Sequence, residues 1–146
     1  MTTTISLSLT NILDRVYAHT AAQVVSTGST RPEILGRAHA DMLKVIVRDT
    51  IAGLAFTVAH LITDSNIAQL PIPEIIYLEM SLPDDISQQM LCSALETAVA
   101  AGTLAQAWSG SDGPMAARYG RAYEISLETL RRTAGKGIPG KIAPTA

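Results

Sequence analysis

His60 and Asp64 are the residues whose types and spacing first invite a chemical reading. Four apart on a helix, they share one face, and both could reach a metal ion. A competent site needs a third protein ligand, which the local sequence does not supply. The sequence therefore predicts no metal: His60 answers the dipole near a helix C-terminus, and Asp64 leaves the helix. Asp84 and Asp85 offer a carboxylate pair for acid–base work. Neighbouring residues diverge on a helix, and acids at a helix start suit its positive end, so no catalytic dyad is expected. Cys92 is the single cysteine, which excludes an internal disulfide framework and a multi-cysteine zinc site. On the expected inner side of a helix it acts as a small hydrophobe. His19 and His39 lie among alanines and threonines. Gly135-Lys136-Gly137 follows a helix where a phosphate loop must precede one. Ser109-Gly110-Ser111 lacks the frame of a nucleophile elbow. No nucleophile, base and orienter assemble from local spacing, so the expectation is a protein that is not an enzyme and needs no cofactor.

The elements that must carry these residues follow from periodicity. Ile5, Leu7 and Leu9 alternate with serines, a strand pattern. A first helix is expected from Thr10, its N-cap, to Ser26, with Leu13, Val16, Tyr17, Ala21, Val24 and Val25 on one face. Thr30, Pro32 and Glu33 open a second helix running to about Thr63. Its first half is amphipathic, with Leu35, Ala38, Met42, Val45 and Ile46 inward. Its second half is apolar nearly all round, so Ile51, Leu54, Val58 and Leu61 are expected to be covered by another copy of the chain or a partner. Gly53 marks either a close helix crossing or a break.

Ile76, Leu78, Met80 and Leu82 form a second strand able to pair with the first; a short helix after Pro73 is the competing reading. A third helix opens at Pro83-Asp84-Asp85 with the stripe Leu91, Ala94, Leu95, Ala98, Gly102, Ala105, Trp108. A fourth starts at Pro114, with Met115, Tyr119, Tyr123, Leu127 and Leu130 on one face and Arg121, Glu124, Glu128 and Arg132 on the other. Trp108, Tyr119 and Tyr123 are expected to cluster near the turn between these helices. The six aromatics are too scattered for a base-stacking platform.

The expected architecture is mainly α: a four-helix domain over residues 1–134 with a small two-stranded β element, then a flexible basic tail over 135–146. The chain's 146 residues suit one domain. Apolar residues make up 47% and mean hydropathy is +0.23, which excludes a disordered chain. The net charge of −2 excludes a polycation built to coat nucleic acid. Residues 1–130 carry seven Lys and Arg against thirteen Asp and Glu, whereas Arg131, Arg132, Lys136 and Lys141 follow with no acid among them. The start of the chain has no secretory pattern, and the apolar stretch between Asp49 and Asp64 is too short for a bilayer, so a reducing cytoplasm is expected.

Five segments resemble small helical proteins encoded among the morphogenesis genes of phages and prophages of Bacteroides-type bacteria. They are residues 13–21 (LDRVYAHTA), 44–55 (KVIVRDTIAGLA), 77–84 (YLEMSLPD), 94–108 (ALETAVAAGTLAQAW) and 117–130 (ARYGRAYEISLETL). Those proteins are in turn similar to head–tail connector or tail-completion proteins. The resemblance implies a non-enzymatic adaptor that forms a homo-oligomeric ring between portal and tail. The basic segment, with Arg131, Arg132, Lys136, Ile138, Lys141 and Ile142, would then be a docking arm: its charges are drawn to an acidic surface and its isoleucines anchor it. Two other readings stand beside this one. One is a DNA-contacting accessory protein, whose four cations could neutralise only a few phosphates. The other is a small-ligand binder with a pocket under His60, Asp64 and Tyr77.

Overall fold

The structure is a computed structural model and describes residues 2–135. Strand β1 (Thr2–Ser8) runs directly into helix α1 (Leu9–Thr27). Two short 3-10 turns, Glu33–Leu35 and Arg37–His39, precede α2 (Ala40–Thr57). Strands β2 (Ile62–Ser65) and β3 (Ile75–Ser81) follow, then the antiparallel pair α3 (Gln88–Trp108) and α4 (Gly113–Ala134). The chain is mainly helical, four helices beside a small sheet, as the sequence predicts.

The sheet has three antiparallel strands in the order β1–β3–β2 where two were expected. β1 pairs with β3 along its whole length, from Thr2 opposite Ser81 to Ser8 opposite Ile75. The period of two then sets the faces: Ile5, Leu7, Ile76, Leu78 and Met80 are buried, while Thr4, Ser6 and Ser81 face solvent. β2 is a four-residue edge strand with a bulge between Ile62 and Asp64. Its hydrogen bonds begin where the Ser81 N–H donates to the Leu61 carbonyl at 2.8 Å. The β-branched residues Ile62 and Thr63 gain more from the free edge of β3 than from another helical turn. That edge lies far along the chain, so the helix ends at Thr57 and not near Thr63. At its other end α2 begins at Ala40, seven to nine residues later than expected. Gly36 takes an extended backbone between the two 3-10 turns and breaks the helical path.

The caps follow side-chain chemistry. Ser8, not Thr10, caps α1, its Oγ accepting from the Asn11 N–H at 3.3 Å. Thr10 instead gives both its N–H and its hydroxyl to the Glu74 carboxylate, whose other oxygen lies 3.4 Å from Lys44 Nζ. A remote acid thus sits at the positive end of α1 and ties it to α2 and to the approach of β3. Gly28 ends α1 in the left-handed conformation, φ +73°, which glycine adopts without a Cβ clash. Ser87 caps α3 and Asp112 caps α4. Pro83, Asp84 and Asp85 therefore form a turn ahead of α3 and not its first residues.

Expectations about the core are overturned on two helices. Val25 on α1 and Met42 and Val45 on α2, read as facing inward, are exposed, and α2 buries Leu43 and Val47 instead. Ile51, Leu54, Val58 and Leu61 are all buried inside the single chain and present no face to a second copy. The enclosing neighbours that α2 seemed to lack are α1, α3, α4 and the turn at Glu33–Leu35. Gly53 is neither a crossing nor a break; it lies on the exposed side of α2 with open space around its Cα. The helix enclosed on nearly every side is α3, where Ala98, Val99, Ala100, Ala101, Thr103, Leu104, Ala107 and Trp108 are all buried. Its small residues let α1, α2, α4 and β1 pack close around it.

Candidate docking groove

The α3–α4 pair seals at one end and opens at the other. Around the turn that joins the helices, Trp108 is fully buried and Met115 and Tyr119 nearly so. One turn further along, Gly102 admits Tyr123: a Cβ on Gly102 would stand 2.7 Å from Tyr123 Cε1 and 2.8 Å from Thr50 Cγ2. Thr50 is held by its own hydroxyl, which donates to the Ile46 carbonyl at 2.8 Å. Burial pushes the Tyr119 phenol above its ordinary value, against the opposing effects of Arg118 and Gln23. Burial and then the Glu124 carboxylate do the same to Tyr123. The expected aromatic cluster is present at this end.

The other end pairs the first half of α3 with the second half of α4. Met90, Ser93, Ala94 and Thr97 recur at helical spacing along α3 and face Ile125, Ser126, Thr129 and Thr133 on α4. Between them runs a groove of about 420 Å³. A continuation of about 320 Å³ extends past Met90 to Asp85, Ile86 and Ser87, with Arg132 on its other side. Met90 is 64% and Ile125 68% exposed, large apolar side chains standing over small ones. Thr129 donates its hydroxyl to the Ile125 carbonyl at 3.1 Å, and Thr133 to that of Thr129 at 2.9 Å. Thr97 accepts from Arg15 Nη2 at 3.2 Å. These hydroxyls already have partners within the protein, so the groove wall is more apolar than its composition suggests. A groove of this kind takes an extended apolar segment or a helix edge.

The residues singled out from the sequence fall in several places. Arg131 and Arg132 occupy the last turn of α4, beside the groove's mouth, where both lean on Glu128: Arg131 Nη1 lies 3.4 Å and Arg132 Nε 3.8 Å from its oxygens. Lys136, Ile138, Lys141 and Ile142 lie outside the described residues. His60 stands in the turn after α2, its Nε2 3.4 Å from the Ala134 carbonyl at the end of α4. The dipole role expected for it is thus met by α4 and not by its own helix. Asp64 is on β2, beside β3 residue Glu79, and its carboxylate accepts from the Ser65 N–H at 2.9 Å. Tyr77 belongs to β3, opposite Ser6. Among the described residues no group of three or more His, Cys, Asp or Glu is placed to hold a metal ion. No helix among them is long and apolar enough to cross a membrane. Cys92 is half-buried at the side of α3, and burial followed by the Glu96 charge pushes its thiol up.

Sequence reasoning missed Met90 and Ile125. The signal was available for Ile125, a large apolar residue standing off the stripe of its own helix, whereas Met90 shares a face with Ala94 four residues on and reads as part of the buried stripe. No family model matches the chain, and no curated protein or solved structure shows significant similarity to it.

Proposed function

We propose that this protein is a non-enzymatic adaptor of phage or prophage morphogenesis, of the head–tail connector or tail-completion type. It acts by self-association and by docking to portal or tail proteins, in the bacterial cytoplasm during assembly and then in the virion. The observation that supports this reading is the α3–α4 groove, where Met90 and Ile125 are offered to solvent beside a cationic helix end. Exposed large apolar side chains that converge on a groove are a surface for a partner. The five resembling segments supply the class of partner.

Self-association falls to a different face from the one the sequence suggested. On the outer side of α2, Met42 is 56% and Phe56 85% exposed, with Val45 between them. The DNA-contacting alternative has less support, because Glu128 offsets part of the charge of Arg131 and Arg132.

The test is co-expression with the portal and tail proteins of the same phage genome, with light scattering across a concentration series. The expected result is an oligomer that weakens in Phe56→Glu and a portal or tail complex that is lost in Met90→Asp/Ile125→Asp. A monomer at every concentration that joins neither partner would sink the reading.

A further inference from the structure

The groove and the chain that continues from it are neighbours. Helix α4 ends at Ala134, and the Gly135 N–H closes the last turn on the Arg131 carbonyl at 2.8 Å. Thr133, two residues earlier, is a wall of the groove. The chain therefore emerges at the mouth of an open apolar channel, with eleven further residues, 136–146, beyond it.

We propose that residues 136–146 of the same chain turn back and seat in the α3–α4 groove, with Ile138 and Ile142 as the apolar anchors. Three matches support this occupant. The first is length. From Thr133 back to Ile125 is about 12 Å at 1.5 Å per helical residue. Ile138 to Ile142, extended, spans about 13 Å at 3.3 Å per residue. The second is backbone chemistry. Gly135 and Gly137 permit the reversal, and Pro139 biases Ile138 toward extended backbone. The third is charge. Lys136 and Lys141 are the only ionisable side chains of the segment. Asp85 lines the mouth of the groove and Asp84 stands exposed beside it, so Lys136, next to the end of α4, is the lysine they match; Arg132, of the same sign, is drawn to Glu128.

The seat rests on the reading of the groove as a docking surface and adds a regulation to it. A partner must displace the protein's own segment, so docking is weaker than the bare groove would allow. A partner with its own extended apolar motif competes against a segment held at high effective concentration by its tether.

Disulfide trapping in the full chain tests the seat. In a Cys92→Ser background, Ser126→Cys is combined with Ile142→Cys. Val25→Cys with Ile142→Cys serves as control, Val25 being exposed at the far end of α1. At low protein concentration the groove pair should close within one chain at least about tenfold faster than the control, since seating raises the effective concentration of the two thiols. Equal rates would overturn the seat. A disulfide-linked dimer would overturn it too, assigning the groove to the segment of a second copy.

Methyl NMR of the full chain provides the second measurement. In Ile138→Asp/Ile142→Asp the Met90 methyl should shift while Met42, exposed on another face, stays put. An unmoved Met90 methyl counts against the seat. The two readings fail separately. If the seat is absent but Met90→Asp/Ile125→Asp still abolishes partner binding, only the seat is lost. If the seat forms and no partner ever binds, the docking reading falls and the groove serves the chain itself.

Discussion

One helix pair, α3 and α4, carries a tightly filled region at one end and an open groove at the other. At the sealed end a tryptophan, two tyrosines and a methionine fill the space between the helices, and Gly102 lets a ring approach within contact of the backbone. At the open end the facing residues are serines, threonines and an alanine, and the large side chains Met90 and Ile125 stand at the rim. The helices are continuous across both regions, so side-chain volume sets the difference. Large residues pointing inward close an interface, whereas small residues lining it and large ones flanking it leave a channel. One end therefore contributes to stability, and the other leaves a groove open to solvent.

Substitutions should separate these two roles. The largest effect is expected at Trp108: its fully buried ring, cut to Ala, should cost about 3–5 kcal/mol in urea or thermal unfolding. Gly102→Ala should cost about 1–3 kcal/mol, because the new methyl meets Tyr123 and Thr50 with little room to give. If Gly102→Ala is neutral, the sealed end is looser than its geometry implies.

Titration adds a second contrast. Tyr119 and Tyr123 have raised values in the folded state, so their stabilising contribution is full below the ordinary phenol range and fades as pH rises through it. Unfolding free energy should fall from about pH 10 upward, and less steeply in Tyr123→Phe. Toward the open end, the raised Cys92 thiol should alkylate more slowly than a free thiol near pH 8, and Glu96→Gln should quicken it by removing the lesser of its two causes.

The smallest stability effect belongs to the rim. Met90→Ala and Ile125→Ala should each change unfolding by no more than about 0.5 kcal/mol, while binding to a partner is lost. A large loss of stability there would make the groove part of the core and dissolve the contrast.

Much of the fold could be read from the chain. The alternation at Ile5 and Leu7, the stripe from Leu91 to Trp108 and the run from Met115 to Leu130 each report a local period that the structure keeps. The aromatic cluster was legible for the same reason: one turn joins the two helices that carry it. The groove was not. Met90 and Ile125 are thirty-five residues apart in sequence, and only the antiparallel return of α4 along α3 sets them side by side.

What the sequence by itself determined was the presence of four helices and of the two longer strands, the buried faces of β1, β3, α3 and α4, and the break in charge after residue 130. Those properties depend on periods of two and 3.6 residues and on local composition. Tertiary structure alone decided which apolar faces would meet. It placed Ile51, Leu54, Val58 and Leu61 in the chain's own core, made a third strand from residues that read as the end of a helix, and put the Glu74 carboxylate at the start of α1. Each of these outcomes depends on a partner many residues away. A periodic pattern states that a face must be covered, and only the folded chain supplies the cover.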